Sequence, residues 1–348
     1  MKNPAEHLKD KVINDEWIIG NPINKPPGAT GGRFSIGYEV EHKKTKEKAF
    51  LKAIDMSSAL HSQDPPRELE KLLKAYNFER DLLLKCSSKR MRRVLVPICD
   101  GSINVFGSPD PSNSAYYILF KMADGDIRKA KSQMATLDVA WSMRSLHHTC
   151  VGIKELHSTG IAHQDLKPSN VIQFDKGNFK ISDLGRAHDK DTTSPHDTYP
   201  VPGDQTYAPP ESFYGIPMDN FGKRRLYDLY TVGGLIFFHF MRQSPTSLII
   251  DRIIQRSLPF SNMNYDNDMP SLQTAFADVL VELKSSIPIA DGNIVESIVH
   301  IAKELCNPDY SLRGDPEQAK SINSDKYSME RYISRFNYLA KRCEGLLI

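Results

Sequence analysis

Paired cysteine motifs are missing from this chain. Its five cysteines, Cys86, Cys99, Cys150, Cys306 and Cys343, are odd in number and scattered, with no CxxC pair and no Cys/His cluster. That pattern argues against both a disulfide framework and a zinc site. An excess of one charge is missing too. The formal net charge is +2 over 348 residues, which gives no basis for a nucleic-acid partner bound by phosphate neutralisation. The densest basic run, Lys89–Arg93, reads as a solvated helix end or loop. Long hydrophobic runs are also absent. The most apolar stretch, Leu229 to Phe240, is too short to span a bilayer, and the opening MKNPAEHLKDK lacks the apolar core of a secretory signal. The expectation is a soluble, cytoplasmic protein with no membrane span. No internal repeat and no low-complexity tract occurs.

What is present is an ordinary globular composition, 40% hydrophobic and 25% charged, long enough for two lobes. The segments WIIGNPI, FSIGYEVEH and KAFLKAID alternate apolar and polar residues in strand fashion. An amphipathic helix follows in PPRELEKLLKAYNFERDLLLKC, with Asp64-Pro65-Pro66 as its cap and first turn. VLVPICDGSINVF and SAYYILFKM read as two further strands, joined by a Pro/Ser/Asn loop from Gly107 to Ser114. From residue 133 onward helices dominate. One long helix is expected from Ser132 to Gly160, a core helix in RLYDLYTVGGLIFFHFMRQ, and two more in NIVESIVHIAKELCNP and SMERYISRFNYLAKRC.

Chemistry concentrates in HQDLKPSNVIQF, residues 163–174. Phosphoryl transfer to a hydroxyl needs a group that orients the hydroxyl and takes its proton, a positive charge for the transferring group, and oxygen ligands for magnesium. Asp165, Lys167 and Asn170 are residue types suited to these roles in turn. Taken alone, the loop reads equally well as a turn whose Asp and Asn satisfy backbone groups. The segment NFKISDLGRA adds a strand ending in Asp183 before Leu184-Gly185, and a carboxylate so placed suits Mg2+.

Together these motifs resemble those of the eukaryotic-type Ser/Thr protein kinases. HQDLKPSN resembles the catalytic loop, DLG the metal-binding triplet, and Pro209-Pro210-Glu211 the triplet closing the activation segment. DLYTVG resembles a helix start whose aspartate, here Asp228, braces the catalytic loop, and Arg313 matches the late arginine that pairs with Glu211. The resemblance implies an α+β, bilobal fold: a small antiparallel sheet with one helix over residues 15–121, and a larger, mainly helical lobe over 122–320. Residues 1–14 would be an N-terminal extension and 321–348 a C-terminal helix. It further implies ATP and Mg2+ as cofactors, with Asn170 and Asp183 holding the metal. Lys52 would hold the nucleotide phosphates beside a helix carboxylate, Glu79 first, with Asp81 and Glu70 as alternatives. Gly31 and Gly32 would lie over the phosphates, Phe120, Lys121 and Ala123 along the adenine, and Asp126 at the ribose.

Several positions depart from the family pattern. The glycine-rich loop is degenerate, with Thr30 and Ser35 replacing two glycines, Phe34 at its tip and Gly37 where a valine usually packs on adenine. Phe50 replaces a small alanine. Gln164 replaces the arginine that receives an activation-loop phosphate, so a phosphate on Thr192, Thr193, Ser194 or Thr198 would lose its main partner. Asp204 stands where a threonine usually braces Asp165, with Thr206 as a nearby substitute. Residues 244–289 match no family pattern. Three readings stay open: an active Ser/Thr protein kinase acting on protein substrates under a separate regulatory protein, a pseudokinase that binds without catalysis, and a small-molecule kinase.

Overall fold

The computed structural model describes residues 2–23, 35–107, 110–175, 177–317, 325 and 327–346. These divide into two compact units, Met1–Met91 with Leu95–Asp124, and Arg92–Val94 with Gly125–Ile348. The first unit is built on an antiparallel sheet and the second mainly on helices, an α+β arrangement.

The first unit is an antiparallel six-stranded sheet. Its strands are β1 (Val12–Ile13), β2 (Trp17–Pro22), β3 (Ser35–His42), β4 (Lys48–Ile54), β5 (Cys99–Asn104) and β6 (Ser114–Lys121), in the order β1-β2-β3-β4-β6-β5. Period-two alternation decides its faces. Ala49, Leu51 and Ala53 of β4 join Tyr38, Val40, Tyr117 and Leu119 in one buried cluster. Ala5 and Leu8 belong to that cluster, so the N-terminal 3-10 turn Pro4–His7 completes this core. The Tyr38 hydroxyl donates to the Ala5 carbonyl at 2.6 Å and ties the turn down. The alternate positions of β4, Phe50 and Lys52, therefore fall on the opposite face. A single helical turn, α1 (Ser57–Leu60), precedes the long helix α2 (Pro65–Ser88). As expected, Asp64 caps α2: its carboxylate accepts the Arg67 N–H, with prolines in the first turn.

The second unit opens with β7 (Gly125–Asp126), α3 (Ile127–Ser132) and α4 (Val139–Ser158). The single helix expected from Ser132 does not form. Gln133 terminates α3, and Asp138 starts α4 by accepting the Trp141 N–H at 2.8 Å. Two caps of opposite sense leave the short stretch between them, residues 134–137, as a link despite its apolar residues. Next come β8 (Ile161–Ala162), the hairpin β9 (Val171–Phe174) and β10 (Asn178–Ile181), and β11 (His188–Asp189), which pairs with β8. Helices α5 (Phe221–Met241), α6 (Pro245–Gln255), α7 (Tyr265–Ser286), α8 (Gly292–Leu305) and α9 (Glu330–Gly345) follow. Helix α5 is buried around most of its circumference, as its composition requires, and α9 lies along α4. The span 244–289 folds as α6 and α7 packed on each other. No described helix is long and apolar enough to cross a membrane.

Candidate active site

The loop between β8 and β9 carries Asp165, Lys167 and Asn170, and its shape is imposed from beneath. Gln164 sits at φ 61°, a left-handed conformation uncommon for a side-chain-bearing residue. The wholly buried Asp228 of α5 holds it there. One carboxylate oxygen accepts the His163 N–H at 2.8 Å, and the other accepts the Gln164 N–H at 2.8 Å. Burial works to raise the Asp228 carboxyl. The hydrogen bond with His157 and the Gln164 N–H are among the groups that outweigh it and hold the carboxyl below its ordinary range. His163 Nδ1 accepts the Asp165 N–H at 3.3 Å, so its proton sits on Nε2, which donates to the Ser182 carbonyl at 3.0 Å. One imidazole thus joins the catalytic loop to the residue before Asp183.

Asp165 is itself 7% exposed. Lys167 Nζ lies 3.2 and 3.0 Å from its two oxygens, and the Asp204 N–H donates to Oδ1 at 2.7 Å. Burial pushes the Asp165 carboxyl up. The Lys167 charge pulls it back, the Asp183 charge raises it again, and the balance stays above the ordinary value. Such a carboxylate is a better proton acceptor than a solvated one.

The β9–β10 register brings the two expected metal ligands to one end of a hairpin. Val171 pairs with Ile181, and the Ser182 N–H donates to the Asn170 carbonyl at 2.9 Å, so Asp183 follows directly. Asp183 takes φ 64°. The Asn170 amide nitrogen is committed to the Asp165 carbonyl at 2.8 Å, which leaves Oδ1 as the hard oxygen it presents, beside the Ser169 hydroxyl at 3.3 Å. An amide oxygen and a carboxylate fit Mg2+, which keeps its remaining sites for water and phosphate oxygens. Among the described residues no cluster of three or more His, Cys, Asp or Glu forms a separate metal cage.

Within the first unit, Lys52 Nζ contacts Glu79 Oε1 at 2.7 Å and Oε2 at 3.0 Å, both side chains being mostly buried. Of the three carboxylates the sequence offered, only Glu79 meets Lys52 in this way. Asp81 pairs with Arg80 at 2.7 Å and Glu70 with Lys74 at 2.7 Å. Tyr76, one turn before Glu79, sets the helix by donating to the Tyr117 carbonyl at 3.0 Å. Phe120 is buried at the end of β6, Lys121 is exposed, and Ala123 follows the strand. In the second unit, Asp126 caps α3 through the Arg128 and Lys129 N–H groups and pairs with the Arg128 guanidinium at 2.8 Å. A ribose hydroxyl would share that carboxylate with the helix. Gly31 and Gly32, with Gly28, Thr30 and Phe34, lie outside the described residues.

Three features escaped the sequence reading. The Asp165 brace comes from the Asp204 backbone, and the Asp204 carboxylate lies 3.5 Å from Lys167. The Thr206 backbone serves other groups: its N–H donates to the Asp204 carboxylate and its carbonyl accepts the Ser244 hydroxyl. Gly203 lies so close to the loop that a Cβ there would stand 2.5 Å from the Gln164 carbonyl and 2.6 Å from Asp165 Oδ1. Gly37 and Phe50 form one exchange: a Cβ on Gly37 would meet the Phe50 ring at 2.7 Å. A close-approach glycine leaves no periodic signal, so only the fold exposes it. The Glu211–Arg313 pair, by contrast, was legible. It forms two contacts of 2.5 and 2.6 Å, with Arg313 fully buried and its guanidinium 4.6 Å from the Tyr230 ring centre.

Residues 30–325 match the family model described as protein kinase domain. Among similar proteins is a probable serine/threonine-protein kinase of Saccharomyces cerevisiae, 24% identical over 221 residues, covering 64% of this chain and 19% of the relative. Cyclin-dependent kinase G1 of Arabidopsis thaliana is 28% identical over 200 residues, covering 56% and 30%. A probable serine/threonine-protein kinase of Clostridium acetobutylicum is 21% identical over 277 residues, covering 77% and 41%. The chain thus spans well under two thirds of the length of each of these relatives. With the family match extending over most of the sequence and the catalytic loop, hairpin and lysine–glutamate pair in place, this chain belongs to the protein kinase domain family.

Proposed function

We propose that this chain transfers the γ-phosphoryl group of ATP to Ser/Thr hydroxyls of a protein substrate. The observation that carries the reading is the buried Asp165 carboxylate, flanked by Lys167 at 3.0 Å and braced by the Asp204 N–H at 2.7 Å. In this reading Asp165 orients the acceptor hydroxyl and takes its proton as the oxygen bonds to phosphorus and the bond to the ADP oxygen breaks. Lys167 lies beside that carboxylate and offsets the charge on the transferring group. Asn170 and Asp183 hold Mg2+, which supplies charge neutralisation on the phosphate oxygens. Lys52, oriented by Glu79, holds the nucleotide phosphates, while Phe120, Lys121 and Ala123 receive adenine and Asp126 the ribose. Because position 164 is a neutral glutamine, activity does not require a phosphate on the activation segment. A separate regulatory protein and a cytoplasmic setting complete the proposal.

The test is incubation with labelled ATP and Mg2+ on a generic basic protein, comparing wild type with Asp165→Ala and Asp183→Ala. Label transfer by wild type that both variants lose is the expected result. Absence of transfer, together with no Mg2+-dependent thermal shift by ATP, would overturn the reading. Phosphatase-treated protein is expected to keep its turnover.

A further inference from the structure

A neutral glutamine at position 164 leaves a question of how the activation segment is held. The second unit answers it with other groups. The Gln164 side chain is completely buried and turned toward α5: Nε2 donates to the Arg224 carbonyl at 2.9 Å and to Asp228 Oδ1 at 3.2 Å. Its Oε1 accepts Arg224 Nη1 at 3.4 Å. The Arg224 side chain, 7% exposed, then extends to the segment, where Nη2 meets both the carbonyl and Oδ1 of Asp197 at 3.2 Å. On the other side His188 Nδ1 contacts Asp197 Oδ1 at 2.7 Å. The remaining oxygen, Oδ2, accepts the Ser194 N–H at 2.9 Å.

We propose that Asp197 is a positioning residue that serves as the built-in anion of the activation segment, tying it to Arg224 and His188. This deepens the phosphorylation-independent reading above and rests on it. The carboxylate joins His188, which follows the DLG triplet, to Arg224 on α5, and Arg224 bears on the catalytic loop through Gln164. It therefore closes the segment at its middle, between the Asp183 hairpin and the Gly203-Asp204 stretch that braces Asp165. Charge-assisted hydrogen bonds from a mostly buried guanidinium are roughly twice as strong as neutral ones. Removing the carboxylate leaves the buried Arg224 with the neutral Gln164 and Asp197 carbonyl acceptors and with Asp228 as its facing anion, which adds to the cost. Both Asp197 oxygens are taken, so a phosphate on the adjoining Thr198 would place a second anion against the first.

The experiment compares wild type, Asp197→Asn, Asp197→Glu, Arg224→Gln and the Asp197→Asn/Arg224→Gln double variant. Two readouts are taken on the whole chain: steady-state kinetics, and amide exchange over residues 188–204. Asp197→Asn keeps the shape and loses the charge. It is expected to lower kcat by about 10- to 100-fold, with KM for ATP little changed, and to speed exchange across the segment. Asp197→Glu should recover much of both, and the double variant should fall no further than the worse single one. Wild-type exchange in Asp197→Asn, or losses that multiply in the double variant, would overturn the proposal. Should wild type show no transferase activity, the broader reading falls, and segment exchange still decides whether Asp197 holds the segment.

Discussion

At the scale of single residues, the role proposed for Asp165 sets function against stability. Its carboxyl titrates above the unfolded value of 3.8. A carboxyl raised on folding takes up protons relative to the unfolded chain, so its contribution to stability is present at low pH and lost as pH rises through the folded pKa. At neutral pH the ionised form weakens the fold. Asp165→Asn should therefore abolish most turnover, by roughly 10²- to 10⁴-fold as for loss of a general base, while raising the thermal midpoint. The difference in midpoint should shrink as pH falls and wild-type Asp165 takes its proton. A variant less stable than wild type at pH 7 would contradict this. Residue identity made Asp165, Lys167, Asn170 and Asp183 visible in the sequence, because their chemistry depends on residue type and short spacing. Gly37 and Phe50 read as two separate departures. The β3–β4 register, Gly37 with Lys52 and Glu39 with Phe50, makes them diagonal neighbours, and the ring fills the space a larger residue at 37 would need.

At the scale of elements, caps and close approaches set the geometry that the residues use. Asp138 fixes where α4 begins, and Gly152 on that helix lets it meet β10, since a Cβ there would stand 2.8 Å from the Arg93 carbonyl and 3.1 Å from Ile181. Gly203 does the same for the activation segment. Gly203→Ala must push either the segment or the catalytic loop aside, because the nearest atoms include backbone, the Gln164 carbonyl at 2.5 Å and Asp165 Cα at 2.9 Å. A shift of about 1 Å in a reacting group costs on the order of 100-fold in rate. We expect a kcat loss of that order with the thermal midpoint little altered, measured by steady-state kinetics and thermal melting. Wild-type kcat would show that the segment does not set the position of Asp165. Periodicity revealed α2, α5, α8 and α9 in the sequence. It could not place the break at residues 133–138, where capping chemistry overrides a helical apolar pattern.

At the scale of the molecule, contacts between residues far apart in sequence hold the second unit around its site. Arg313 and Glu211 lie 102 positions apart in the chain and meet with the guanidinium wholly buried. Removing one partner leaves an uncompensated charge, so Arg313→Met is expected to cost about 3–5 kcal/mol in denaturant unfolding. Adding Glu211→Leu should return much of that loss, since a buried pair is often replaceable by apolar groups of similar volume. A single variant as stable as wild type would show that the pair contributes little. Asp228 works over a comparable span, bringing the α5 helix under the catalytic loop through His163 and Gln164.

The sequence by itself determined the bilobal α+β class, the lysine on β4 and the candidate phosphoryl-transfer residues of the second unit, because strand alternation, helical periodicity and short motifs are local patterns. Tertiary structure alone decided three matters. It chose Glu79 over Asp81 and Glu70, because the rotation of α2 about its axis depends on what it packs against. It seated the N-terminal turn in the core of the sheet. And it brought Arg224 to Asp197, residues separated in the chain and joined only where folding desolvates their charges together.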